Sequence, residues 1–392
     1  MRNVYLDHSA TTYLAPQVKK AMEPFWIKEF GNPSAIYELG RRAKKAIDES
    51  RNSIAQILNC KSNEIIFTGS GTESDNLAIF GVVNGLKDKI SFKPHIITSK
   101  IEHPAVLEAF KELERQGIDT TFVGIDKDGF VDLEVLKRSI RPETILVSIM
   151  YANNEIGTIQ PIKEISKIIT KVKGKNGFPY FHTDACQAAG YFDLDVNSLG
   201  VDLLTINASK IYGPKGIGLL YVKQGISLKS ILFGGGQEFG IRSSTESVPL
   251  IIGLARALEL VQGDRIKESK RLIVLRNRLI KDILKLIPNS KLNGGLANRL
   301  PNNINISFRG VEGESLVLYL DKEGIYASTG SACSSKSLEP SYVILALGED
   351  AEIAHGSLRM TLGKCNTGKD IKAVLEILPK VINKIRKLSI IK

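Results

Sequence analysis

Three stretches within residues 181–222, FHTDACQAAG, VDLLTINASK and IYGPKGIGLLYV, place an acid, an amine and a glycine-rich turn on successive strand ends. That combination is what a pyridoxal phosphate site requires. A carboxylate must sit against the cofactor's ring nitrogen to keep it protonated as an electron sink, and a lysine must hold its aldehyde covalently. Asp184 and Lys210 are the candidates. Taken alone, Asp184 reads equally well as a buried aspartate capping the next helix, and one lysine among 53 Lys and Arg residues signals little. Their tie to each other and to a phosphate cradle carries the weight. The cradle candidate is TGSGTES (68–74), opening a helix, where Gly71 and Thr72 offer backbone and hydroxyl donors to a phosphate at the positive helix end. It is neither a Walker loop nor GxGxxG. His182, Asp184 and Cys186 alternate on one strand face, which permits a metal, but no second cluster supplies the remaining ligands.

A thiol stands apart from these. Cys333 lies in TGSACSSKSLEPS, a run of small polar residues that reads as a loop and is a poor place to bury a cysteine. The other three, Cys60, Cys186 and Cys365, form no CxxC pair, so neither a disulfide framework nor a zinc ribbon is indicated, and they are assigned to packing or chance.

The elements that must position these groups follow a βαβ pattern. Short β-branched runs (EIIFTG, HIITS, ILVSIMYA, YFHTDA, DLLTINAS, GIGLLYV) alternate with helical segments such as ESDNLAIFGVVNGLKD and PIKEISKIITKVKG. Ligands of such sheets collect at the carboxyl ends of the strands, and the polar candidates follow the runs in that position. A helix over residues 247–262 is expected, then a separate exposed amphipathic helix beginning GDRIKESKR. Beyond it NNINISF, ESLVLYLDKEGIYAST, SLRMTL and a last helix suggest a smaller α+β domain. The expected division is 15–260 for a large cofactor-binding domain and 1–14 with 261–392 for a small one, with the Cys333 loop at about 327–341.

With 392 residues, 43% hydrophobic and 24% charged, the chain has ample material for two cores. No run approaches a membrane span, MRNVYLDHSATT carries no apolar leader, and a cytoplasmic location is expected. The net charge of +11 comes from lysines spread along helices, with a denser end in KVINKIRKLSIIK, so a solvated basic surface is favoured over direct nucleic-acid binding.

Several longer motifs make the reading specific: YLDHSATT (5–12), GNPSAIYELGRRAKKAIDESR (31–51), TESDNLAIFG (72–81), IEHPAVLE (101–108), NNEIGTIQPI (153–162), GGGQEFGIRSST (234–245), STGSACSSKSLEPSYVILALG (328–348) and SLRMTLG (357–363). Together with HTDACQ and KIYGPKGIG they resemble the cysteine desulfurases of the class V aminotransferases, in the long-loop group serving iron–sulfur cluster assembly, almost from end to end. The resemblance implies PLP-dependent transferase fold type I, an α/β architecture with a large, mostly parallel seven-stranded sheet and a smaller α+β domain. It implies that Lys210 holds the cofactor, Asp184 pairs with the pyridine nitrogen and His103 stacks on the ring and moves protons. Asn154 and Gln187 would contact the ring oxygen region. Gly71, Thr72, Asn207 and Ser209 would lie near the phosphate, with Thr245 reaching it from a second subunit of a homodimer. Arg359 would clamp the carboxylate of L-cysteine, helped by Asn32, and Cys333 would accept the sulfur as a persulfide before passing it to an acceptor protein such as an iron–sulfur scaffold, or into tRNA thiolation.

This chain departs from the family pattern at a few positions. Ser209 stands where many relatives have a phosphate-binding histidine, Tyr37 where a histidine is common, Gly69–Ser70 where the reverse order is common, and Phe239 where arginine is common. A selenocysteine lyase or another aminotransferase-like enzyme is the neighbouring reading, and a non-catalytic scaffold the reading from another class. A true aminotransferase would not need Cys333, and a scaffold would not need Lys210, Asp184, Cys333 and Arg359 together.

Overall fold

The computed structural model describes residues 3–174, 177–330 and 339–388. Strand β1 (Val4–Tyr5) precedes a seven-stranded sheet of β2 (Ile65–Thr68), β3 (His95–Ser99), β4 (Asp119–Val123), β5 (Thr144–Ser148), β6 (Tyr180–Asp184), β7 (Leu203–Asn207) and β8 (Gly218–Val222). The spatial order is β2-β8-β7-β6-β5-β3-β4, and β8 alone runs against the others. Nearly every residue of β2, β3, β5, β6, β7 and β8 is buried. That explains why these strands read as continuous apolar runs rather than alternating ones: helices cover both faces. One layer packs Ile97, Val147, Phe181 and Leu204 against the first helices and the long helix described below, and the opposite layer packs Ile96, Leu146, Leu203 and Leu220 against helices Gly71–Leu86 and Pro104–Arg115.

Edge strand β4, DTTFV, is the one strand of this sheet absent from the sequence reading. It is half-buried and follows a Gly117 turn, so it has neither a continuous apolar run nor strict alternation to announce it.

The two helices expected around residue 263 are a single 39-residue helix, Val248–Leu286. Glycine inside a helix costs only about 1 kcal/mol. Here buried side chains on both sides of Gly263 (Leu254, Leu258 and Val261 before it, Leu272, Leu279 and Ile283 after it) offset that cost, so the helix runs on from the first core into the second.

The second core surrounds an antiparallel three-stranded sheet of β9 (Ser290–Leu292), β10 (Asn303–Phe308) and, after the short β11 (Ile325–Tyr326), β12 (Ser357–Thr361), in the order β12-β10-β9. Strand β1 pairs parallel with β11, which fixes the N-terminus to this core. From there residues 7–12 cross to the large sheet: the backbone N–H and hydroxyl of Thr12 donate to the Ser209 carbonyl at 2.8 and 2.9 Å, and Tyr212 N donates to Thr12 Oγ1 at 2.7 Å. Among the described residues no helix is long and apolar enough to cross a membrane.

Candidate active site

Six strands of the large sheet end on one side, and five of them are followed by a short turn whose own hydrogen bonds present a polar residue. After β2, Ser70 caps the helix Gly71–Leu86 by accepting from Glu73 N at 3.1 Å, and leaves the first turn's N–H groups pointing outward. Space is tight at Gly71: a Cβ would sit 3.0 Å from Cys186 Sγ and 3.2 Å from Asn207 Cβ. After β3, His103 is itself the N-cap of helix Pro104–Arg115, its Nδ1 accepting from Ala105 N at 3.1 Å. That bond fixes the tautomer, so the neutral ring carries its proton on Nε2, and burial pushes the imidazole below its ordinary range. After β5, Asn153 builds the turn, accepting from the Glu155 and Ile156 N–H groups and donating to the Ile101 carbonyl, and this places Asn154. Asp184 ends β6 and accepts from Cys186 N at 2.8 Å. After β7, Asn207 Oδ1 accepts from both the backbone N–H and the hydroxyl of Ser209 at 2.9 Å, capping the turn that carries Lys210.

These turns surround a cavity of about 240 Å³. It brings together Lys210, Asp184, His103, Asn154, Gln187, Gly71, Thr72, Asn207 and, reaching in from β12 of the smaller sheet, Arg359. Ser209 is adjacent but outside this lining, and Asn32 and Thr245 are exposed and do not line the cavity of a single chain. Cys333 lies outside the described residues.

The residues fit the cofactor. The Gly71 recess, the helix N-terminus and the Thr72 hydroxyl make a place for a phosphate, Asp184 provides a carboxylate and Lys210 an amine. Two buried polar atoms that lack a hydrogen-bond partner among the described residues, Asp75 Oδ1 and Arg359 Nε, belong to residues lining the same space.

Several groups in or beside the cavity were given no part in the site by the sequence. Asp75, one turn into the helix Gly71–Leu86, is 1% exposed, and burial together with the charge of Asp184 drives its carboxyl well above the usual carboxylate range. His182 sits behind it, its Nε2 3.6 Å from Asp75 Oδ1 and its nitrogens bonded to Ser148 Oγ and Thr205 Oγ1, with burial pushing it down to about 4. Cys186, assigned to packing in the sequence, lines the cavity through its position beside Gly71. The N-terminal strap contributes most: Ala10 O accepts from Lys210 Nζ at 2.5 Å, Ser9 O accepts from Gln187 Nε2 at 3.0 Å, and Asp7 pairs with Arg359. DHSATT contained the signal, an acid among small polar residues, but its target lies at the far end of the chain.

Phe239, the replacement for a common arginine, has its own role. Its ring centroid lies 5.1 Å from the Arg51 guanidinium, which is also 4.6 Å from the Phe67 ring centroid, while Arg51 forms a buried two-bond pair with Glu238.

A strand-end cavity with this donor set, on a mostly parallel sheet beside a smaller antiparallel one, is the architecture of an α/β transferase built to hold pyridoxal phosphate. Residues 4–374 match the class-V aminotransferase family. The chain is 50% identical over 390 residues to the cysteine desulfurase IscS of Clostridium botulinum, covering 99% of this chain and 96% of that protein. It is 49% identical over 386 residues to the corresponding protein of Methanosarcina thermophila, covering 98% and 93%. The crystal structure of a NifS-like protein from Rickettsia africae superposes with a TM-score of 0.86 at 31% identity, covering 97% of this chain and all of that one. The chain therefore belongs to the cysteine desulfurases, within the class-V aminotransferase family.

Proposed function

We propose that this cavity converts L-cysteine to L-alanine and moves the sulfur onto Cys333, in a pyridoxal phosphate-dependent reaction. The observation that carries the reading is the convergence of Lys210, Asp184, His103 and Arg359 from four separate elements on one cavity beside the Gly71 cradle. When bound, pyridoxal phosphate supplies an aldehyde that condenses with amines and a ring that withdraws electrons from the bonds at the substrate's α-carbon.

The chain's own residues do the rest. Arg359 orients the substrate by its carboxylate, with Asn32 as a second contact. Lys210 Nζ takes the proton from the α-carbon. Asp184 would keep the proton on the ring nitrogen, with Asn154 and Gln187 contacting the ring oxygen region. Neutral His103 would stack on the ring and donate from Nε2. Thr72 and Asn207 would receive the phosphate, with Ser209 near it and Thr245 of a second copy joining them. Cys333, as thiolate, attacks the substrate sulfur. A sulfur–sulfur bond forms as the substrate's carbon–sulfur bond breaks, and protonation at that carbon together with return of the proton from Lys210 to the α-carbon leaves alanine.

The large unit is assigned to residues 15–260 and the small one to 1–14 with 261–392. The working form is a cytoplasmic homodimer, and the persulfide is delivered to an acceptor protein such as an iron–sulfur scaffold. Exposed Trp26, Ile27, Phe30 and Phe233 support a covered face.

The test is to measure sulfide and alanine from cysteine in the presence of a reductant, beside the visible absorbance of the purified protein. Equal yields from a coloured protein are the expected result, and a coloured protein that forms no alanine would overturn the reading.

A further inference from the structure

Residues 7–12 put an acceptor on each of the two cationic side chains of the cavity. The Ala10 carbonyl takes Lys210, and the Asp7 carboxylate accepts from Arg359 Nη2 at 2.7 Å. Arg359 is only 1% exposed, and the rest of its head is loosely held: Nη1 is 3.4 Å from the Asn154 carbonyl, and Nε has no partner among the described residues. A guanidinium has five N–H donors in a planar fork, so a strong bond at one corner fixes the plane and leaves the other donors for a ligand.

Asp7 is in turn anchored by the same backbone that carries Arg359. It bridges to Thr361, two residues along β12, and its carbonyl accepts from the Tyr5 hydroxyl at 3.0 Å and from Ala10 N at 3.0 Å. Asp7 is also the carboxylate in salt-bridge range of Arg359 among the described residues. Without it the guanidinium would be a buried cation with no carboxylate in salt-bridge range among the described residues, free to turn away from the cavity.

We propose that Asp7 is a positioning residue for substrate recognition: acting through Arg359, it holds the guanidinium by one corner so that the remaining N–H groups face the α-carboxylate of the incoming amino acid. This rests on the assignment of Arg359 as the carboxylate clamp.

The test uses the full-length holoenzyme with Asp7→Ala, Asp7→Asn and Arg359→Ala. Three quantities are read: KM and kcat for cysteine, the affinity for alanine from the change it causes in the visible absorbance of the bound cofactor, and the melting temperature. Loss of a charge-assisted bond predicts that Asp7→Ala raises KM and weakens alanine binding by about tenfold to a hundredfold, with kcat and cofactor absorbance little changed. Asp7→Asn, which keeps an oxygen acceptor, should fall between wild type and Asp7→Ala. If Asp7→Ala does not fold, Asp7→Asn decides, with a several-fold rise in KM at unchanged melting temperature supporting the role. An unchanged KM in either variant, or a fall in kcat together with loss of the cofactor and a lower melting temperature, would overturn it. Arg359→Ala separates the two ideas. If it raises KM while Asp7→Ala does not, only the role of Asp7 fails; if it leaves KM unchanged, the clamp assignment fails and the inference with it.

Discussion

Each reactive side chain in the cavity has its state set by one or two immediate neighbours. His103 is neutral because it is buried and because its Nδ1 is occupied by a backbone N–H, so it offers a proton from Nε2 only. Ser209, in place of the family's usual histidine, spends both its N–H and its hydroxyl on Asn207 Oδ1, so it stiffens the Lys210 turn. The assignment of chemistry to Cys333 predicts a clean separation of functions. Cys333→Ser should abolish sulfide release from cysteine while leaving the visible absorbance of the bound cofactor intact, and full turnover by that variant would remove Cys333 from the mechanism.

At the scale of elements, the loops that frame the cavity are held by buried charges, and these carry measurable stability. Glu238 accepts from Arg51 Nη1 and Nη2 at 2.9 and 2.7 Å and from Phe67 N at 2.8 Å, which ties the glycine-rich segment around Gly234–Gly236 to β2 and to the helix Glu38–Leu58. Removing one partner of a buried pair leaves the other uncompensated, so Glu238→Ala should destabilise the fold by about 3–5 kcal/mol, read as a lower melting temperature. Glu102 holds the turn after β3 differently. Its Oε1 accepts from Ser99 Oγ at 2.6 Å and Met150 N at 3.0 Å, and burial raises its carboxyl from 4.5 to about 8. Because the folded state keeps the proton that the unfolded chain releases, this group's contribution to stability is complete below about pH 4.5 and is lost as pH rises to about 8. Glu102→Gln, which cannot ionise, should therefore gain on the wild type in melting temperature between pH 5 and pH 9. A constant difference across that range would refute the buried, protonated carboxyl.

On the scale of the whole molecule, two sheets with separate cores meet where the strap and β12 reach the strand ends of the larger one. Thr245 is exposed in the single chain, as are the apolar side chains Phe233 (80%) and Ile27 (79%). A homodimer is the expected solution form: light scattering should give twice the 43.0 kDa chain mass, and Phe233→Glu should shift the population to monomer. A wild-type monomer with full activity would exclude the two-copy site.

The large sheet was legible in the sequence because six of its strands are buried on both faces and so appear as unbroken β-branched runs, while β4, exposed on one edge, was not. Lys210, Asp184 and Gly71 were legible for a related reason, since each directly follows one of those runs and a strand end sets its neighbours locally. Arg359 and His103 were reached only through family resemblance, because neither a lone arginine nor a lone histidine carries a local pattern. The partners that hold the site together, Asp7 on Arg359, Ala10 on Lys210 and Ser9 on Gln187, join positions separated by well over a hundred residues. Local spacing and periodicity record which face of an element is buried, and they determined the elements and the chemistry at strand ends. Which distant backbone closes over that chemistry depends on how two cores pack across an intervening strap, and only the tertiary structure decided it.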